Sequence, residues 1–420
     1  MSWKIPRENN MLDTQERKSQ FRYVSKPKNI LQNMFLLFLS VAVFVVGLEI
    51  ALRVLVARAE RTQLKQQETL RRESEFVFYE FDRYLGWKNK PLAEGSFATP
   101  DSKTFVRINS KGLRDQEYEY AKPAGVYRIL VLGDSFAWGY GVEQGKNFTD
   151  RLEELLNKSV AGNLVEVINA GVSGYGSDQE LLLLEREGMK YQPDLVLVAF
   201  ATNDFTLDNK SGRHGYYLKP YFSVEGGQLK VMNYPLADVT AGEWEDLLKN
   251  WKPEEKAENR KGFKGFLKYQ TKTYPFLSQG LKDMRYSILR SLSRNPAFGR
   301  VFNQTRIDLS KEDIDLKVTK KIFMKMKEIA SSGNAQLAVF VVPYKSALEK
   351  LPNPHIQDFL DFFQSNEIAC FYPYDIFYKK FKSGEKLFLN HDDHWNENGH
   401  MLAAEALRDF LVEQGLIPVS

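Results

Sequence analysis

Five short apolar runs, each followed by a segment of helical spacing, constrain this chain more than any other feature. The runs are 127–133, 165–170, 194–202, 336–342 and 368–372; the segments at 148–156, 179–188, 318–329, 356–363 and 399–414 repeat apolar residues at helical intervals. Strands that are apolar along their length need cover on both faces, and the chain between them is long enough for crossover helices. The expected fold is α/β, a parallel sheet with helices on both sides. In such sheets chemistry gathers beyond the carboxyl ends of the strands. Two polar strand ends of that kind are Gly133-Asp134-Ser135 and Thr202-Asn203-Asp204.

Two regions interrupt the alternation. Residues 75–125 hold short strand-like pieces, Tyr84-Leu85-Gly86-Trp87 and 104–109, and read as a lead-in layer against the main domain, which is expected to span 126–420. From about 205 to 310 the pattern lapses into a large insertion rich in aromatic residues and lysine. There Lys249, Lys252, Lys256, Arg260, Lys264, Lys268 and Lys272 recur at helical spacing, as a solvated face or as a lid toward anionic headgroups or glycans. Gly262 and Gly265 weaken any single long helix.

Nearer the N-terminus, residues 30–56 are almost continuously apolar, and 34–48 carry no charge. That length suits a transmembrane helix of roughly 20 residues. Glu49 and Arg53, at i and i+4, share one helical face and can neutralise each other. No small-residue cleavage site follows, so an uncleaved anchor is expected, with 1–29 as a basic cytoplasmic tail and 57–74 as a polar helical stalk. Arg17, Lys18, Arg22, Lys26 and Lys28 precede the span; Arg53, Arg58, Arg61 and Lys65 follow it. This modest bias places the N-terminus inside and the large domain in the periplasm or outside a bacterial inner membrane.

A net charge of +4 gives no case for nucleic acid. The lone cysteine, Cys370, excludes an intramolecular disulfide and, in its apolar run, reads as a buried structural residue. A serine hydroxyl needs a base, and the base needs an orienting partner. Among only five histidines, His394 stands in Asp392-Asp393-His394, just ahead of the last helical segment, where a carboxylate can fold back onto the imidazole. Donors for a developing oxyanion are the Ser135 N–H, a Gly174 N–H in Asn169-Ala170-Gly171-Val172-Ser173-Gly174, and the Asn203 amide.

Taken in order, these blocks resemble the SGNH/GDSL hydrolase superfamily: Gly133-Asp134-Ser135-Phe136, then Asn169 to Gly174, then Ala201-Thr202-Asn203-Asp204, then Asp392-x-His394. The resemblance spans roughly 126–206 and 311–420. It implies a three-layer α/β/α flavodoxin-like sheet and cofactor-independent ester hydrolysis or acyl transfer. Catalysis would fall to Ser135, His394 and Asp392, and the oxyanion hole to Ser135, Gly174 and Asn203. Three departures stand out. Ala201 replaces the usual glycine, His391 occupies the commoner aspartate position, and Trp395 replaces a frequent proline. Asp392 then orients His394, with Asp393 as the fallback. Asp-x-His-Trp resembles the branch that acetylates envelope polysaccharides, and Trp395 could offer a sugar ring a stacking surface.

The reading is a membrane-anchored serine esterase acting on an acylated envelope saccharide or lipid, with membrane lipid as a partner of the N-terminal helix. Alternatives are an O-acetyltransferase, an α/β-hydrolase elbow at Gly133-x-Ser135-x-Ala137, and a metal hydrolase on His391, Asp392, His394 and His400. A non-catalytic membrane-tethered glycan-binding protein is the alternative of a different class.

Overall fold

The structure, a computed structural model, describes residues 27–159, 164–201, 213–214, 217–240, 242–244, 312–349 and 355–418. The chain divides into two units, Met1–Thr62 with Glu258–Tyr286, and Gln63–Ala257 with Ser287–Ser420. Helix α1 runs over Pro27–Phe78. Its Ile30–Val56 stretch is long and apolar enough to cross a membrane, has mean hydropathy 2.6, and none of its described side chains is buried. Arg53 Nε lies 2.5 Å from Glu49 Oε1, so the two charges in the apolar stretch neutralise each other.

In the second unit the lead-in layer is two antiparallel pairs, β1 (Tyr79–Asp82) with β2 (Gly86–Asn89) and β3 (Glu94–Ala98) with β4 (Lys103–Arg107). The strand expected to begin at Tyr84 does not. Asp82 Oδ1 accepts the N–H groups of Tyr84 and Leu85 at 2.8 and 3.0 Å, which turns the chain there and starts β2 at Gly86.

The central sheet contains β5 (Val126–Gly133), β6 (Leu164–Asn169) and β7 (Leu195–Phe200). Four short insertion strands follow: β8 (Arg213–His214), β9 (Tyr217–Leu218), β10 (Tyr221–Glu225) and β11 (Gln228–Met232). The sheet then resumes with β12 (Gln336–Val341) and β13 (Ala369–Phe371). Its order is β13-β12-β7-β5-β6, parallel throughout. This is the flavodoxin-like order, and the direction of winding reverses between β5 and β7.

Residue alternation along the strands feeds two separate cores. Leu130, Leu132, Val196 and Val198 join α4 (Ser177–Arg186), α5 (Glu312–Ser332) and α7 (His355–Ser365) on one face. Ile129, Val131, Leu195 and Leu197 join α3 (Phe148–Ser159), α6 (Lys345–Glu349), α8 (Tyr374–Lys382) and α9 (Glu397–Glu413) on the other. The fold is therefore the expected three-layer α/β/α sandwich. Cys370, expected to be buried, is only half-buried, because β13 is the sheet edge and lacks a neighbour on one side. The insertion is fastened to α4 by a fully buried ion pair, Lys219 Nζ to Asp178 Oδ2 at 2.8 Å. Breaking such a pair would strand a charge in the core. The lysine-rich stretch 249–272 lies outside the described residues.

Candidate active site

Strand β5 delivers its last residue into a space that admits no side chain. A Cβ on Gly133 would meet Ala137 Cβ at 2.8 Å and Ala199 Cβ at 3.0 Å. The chain then bends into α2 (Ser135–Trp138), one helical turn capped by Asp134, whose carboxylate accepts the Phe136 N–H at 2.9 Å. Ser135 is the first residue of that turn and remains 9% exposed in an otherwise buried segment.

Its partner comes from 259 residues away. Ser135 Oγ stands 2.6 Å from His394 Nε2, and His394 Nδ1 stands 2.5 Å from Asp392 Oδ1. A carboxylate can only accept, so Nδ1 carries the proton and Nε2 is left to accept from the serine hydroxyl. Asp392 Oδ1 also accepts the His394 backbone N–H at 3.1 Å, which folds the Asp-x-His segment into a tight turn. Burial alone would raise the Asp392 pKa, but the hydrogen bonds it accepts from His394 hold it below the usual carboxylate range. The imidazole ring lies between Phe136 and Tyr140, with centroids 4.7 and 4.4 Å away. Of the two aspartates weighed for orientation, Asp392 is the one on the ring.

The loop bearing these residues is closed at its base by the Phe388–Trp395 bridge and by the Leu389 N–H to His394 carbonyl bond at 2.9 Å. Asn396 then caps α9, its side chain accepting from Asn398 and Gly399. Trp395 is fully buried among Phe136, Phe148 and Phe377, with its Nε1–H on the Pro343 carbonyl. It has no face for a sugar ring. The stacking expectation fails because the residue after the histidine points into the core.

Gly174 lies beyond β6, in a turn closed by the Tyr175 N–H to Val172 carbonyl bond at 3.1 Å. Its φ of 80° is the left-handed conformation that favours glycine. Asn203 lies outside the described residues. The two histidines nearest His394 in sequence are engaged elsewhere: His391 Nδ1 pairs with Asp101, and buried His400 accepts the Phe148 N–H through Nδ1. Among the described residues no three metal-capable side chains come together.

Sequence reasoning missed the groups that hold this geometry. Asn169 donates to the Ala137 carbonyl at 2.7 Å and accepts the Gly171 N–H at 2.9 Å, which ties the β6 end to the serine turn. Asp115 accepts the Asn169 N–H at 2.8 Å. Arg114, 1% exposed, donates to the carbonyls of Trp138, Gly139 and Val142 at 2.6–2.9 Å and lies over the Trp138 ring. Burial draws its pKa down to about 10, so it stays cationic at neutral pH against the negative end of α2. The available signal was Asn109-x-x-Gly112-x-Arg114-Asp115, where Asn109 accepts the N–H groups of Lys111 and Leu113 and folds the loop.

Residues 131–223 match the GDSL-like lipase/acylhydrolase family. One similar solved structure is a psychrotrophic esterase from Pseudoalteromonas sp. inhibited by monoethylphosphonate, 14% identical over 69% of this chain and 99% of that one, TM-score 0.35. Another is a two-domain esterase active on acetylated mannans, 13% identical over 70% of this chain and 51% of that one, TM-score 0.36. A third is an acetylxylan esterase from Geobacillus stearothermophilus, 12% identical over 72% of this chain and 99% of that one, TM-score 0.37. No curated protein matches the chain.

Proposed function

We propose that this chain, whose residues 131–223 match the GDSL-like lipase/acylhydrolase family, is a serine ester hydrolase of the SGNH type, anchored in a bacterial inner membrane and deacylating an envelope saccharide from the outer side. The observation that carries the catalytic part is the unbroken chain Ser135–His394–Asp392, with contacts of 2.6 and 2.5 Å. In this reading His394 Nε2 takes the hydroxyl proton as Ser135 Oγ attacks the ester carbonyl. The Ser135 and Gly174 N–H groups and the Asn203 amide receive the oxyanion. The carbonyl-to-alcohol bond then breaks, and the saccharide hydroxyl leaves with the proton from His394. Water, deprotonated by His394, releases the acid from the acyl-serine.

The saccharide and the location rest on separate supports. The Asp392-x-His394-Trp395 sequence resembles the envelope-acetylating branch, and the apolar helix Ile30–Val56 suits an anchor. A fluorophosphonate probe should label the wild type and leave Ser135→Ala unlabelled; equal labelling of both would remove the serine mechanism. An activated acetyl ester, supplied with and without oligosaccharides, then separates the outcomes by mass spectrometry. Free acetate in excess supports hydrolysis, acetylated saccharide in excess identifies a transferase, and cleavage of phospholipid alone excludes the saccharide.

A further inference from the structure

The tip of the β3–β4 hairpin touches two catalytic segments at once. At that tip Thr99 Oγ1 accepts the N–H groups of Asp101 and Ser102, at 3.2 and 2.9 Å, which fixes the turn. Ser102 Oγ donates to the Gly141 carbonyl at 2.8 Å, just past the serine-bearing turn. Asp101 reaches the other way, into the base loop. Its carboxylate accepts the His391 backbone N–H at 3.0 Å, His391 Nδ1–H at 2.8 Å and Asn390 Nδ2–H at 3.1 Å. The Asp101 side chain is 5% exposed, whereas the His391 side chain is 60% exposed. The carboxylate is therefore the buried anchor and the imidazole its outer cover.

We propose that Asp101 is a positioning residue for the base: it fixes the tip of the loop that holds Asp392 and His394 at a set distance from the serine segment. The proposal rests on the serine-esterase reading. The loop spans only Asn390 to Asp393 between its closing contacts, so a shift at His391 is transmitted to Asp392, its neighbour. Lys345 Nζ, donating to the Leu389 and Asn390 carbonyls at 3.3 and 3.4 Å, holds the start of the loop and stops one residue short of His391.

The test compares Asp101→Ala, Asp101→Asn and His391→Ala in the full chain on p-nitrophenyl acetate. A displacement of about 1 Å costs on the order of 10²-fold, so Asp101→Ala should lower kcat by about 10- to 100-fold with KM nearly constant. Fluorophosphonate labelling should slow in parallel, with Tm held within about 2 °C. Asp101→Asn keeps an acceptor for the backbone N–H and should recover most of kcat, and His391→Ala should cost less than Asp101→Ala. Unchanged kcat and labelling in Asp101→Ala would overturn the proposal, as would a loss expressed in KM or one that tracks Tm. Hydrogen exchange at the amides of 389–395 reads the loop without turnover. Faster exchange in Asp101→Ala supports the clamp even if Ser135 proves unlabelled, and unchanged exchange overturns it.

Discussion

Asp392 and Asp393 are adjacent and chemically identical, yet only Asp392 meets the imidazole. Asp392→Asn should lower kcat by about 10³- to 10⁴-fold, since an amide there favours the wrong tautomer. Asp393→Asn should stay within a few-fold, and steady-state kinetics on an activated ester would show the reverse ranking if the roles were exchanged. His400 makes a prediction of another kind. Burial first, then the charges of Arg114 and His394, push its pKa down to about 3. The unfolded chain takes up this proton below about pH 6.5. Stability should therefore fall as pH falls from about 6.5 toward 3, by about 2 kcal/mol on reaching pH 5. His400→Asn, whose Oδ1 can accept from Phe148 where Nδ1 did but does not titrate, should flatten that slope in urea denaturation. That Ser135 and His394 would meet was legible because the proposed serine chemistry demands particular residue types in a particular order. Trp395 was misread because one sequence cannot tell an aromatic on the site wall from one behind it.

At the scale of elements, the alternation of apolar runs and helical spacing located all five strands of the central sheet to within two residues, and five of the helices, of which α5 begins six residues before the expected start. Periodicity succeeds there because both faces of the sheet are covered. It fails where structure depends on particular turns. The β10–β11 hairpin went unread, although Gly226 and Gly227, with φ of 57° and 80°, are a turn pair that hairpins favour. Arg114 belongs to the same class, a loop cation whose burial appears only once α2 is seen to end on it. Replacing Arg114 with Met leaves three buried carbonyls without their donor, and the variant should be destabilised by about 3 kcal/mol in urea titration. Its fluorophosphonate labelling should also slow, because the same carbonyls fix the end of the serine turn. A stability equal to wild type would mean that water replaces the guanidinium.

For the whole molecule, the decisive measurement is topological. If Ile30–Val56 anchors the chain with its N-terminus inside, alkaline phosphatase fused after residue 75 should be active in a bacterial host. A silent fusion, with an active cytoplasmic reporter at the same point, would invert the arrangement. The long-range architecture also bears on when the protein acquires its reactivity. Ser135 is made early, on a turn that strand β5 and Arg114 can hold, while His394 arrives 259 residues later in a loop closed by the Phe388–Trp395 bridge. Until that loop is synthesised and docked, Ser135 is an ordinary alcohol with no base, so on the proposed mechanism the nascent chain would be unreactive toward esters.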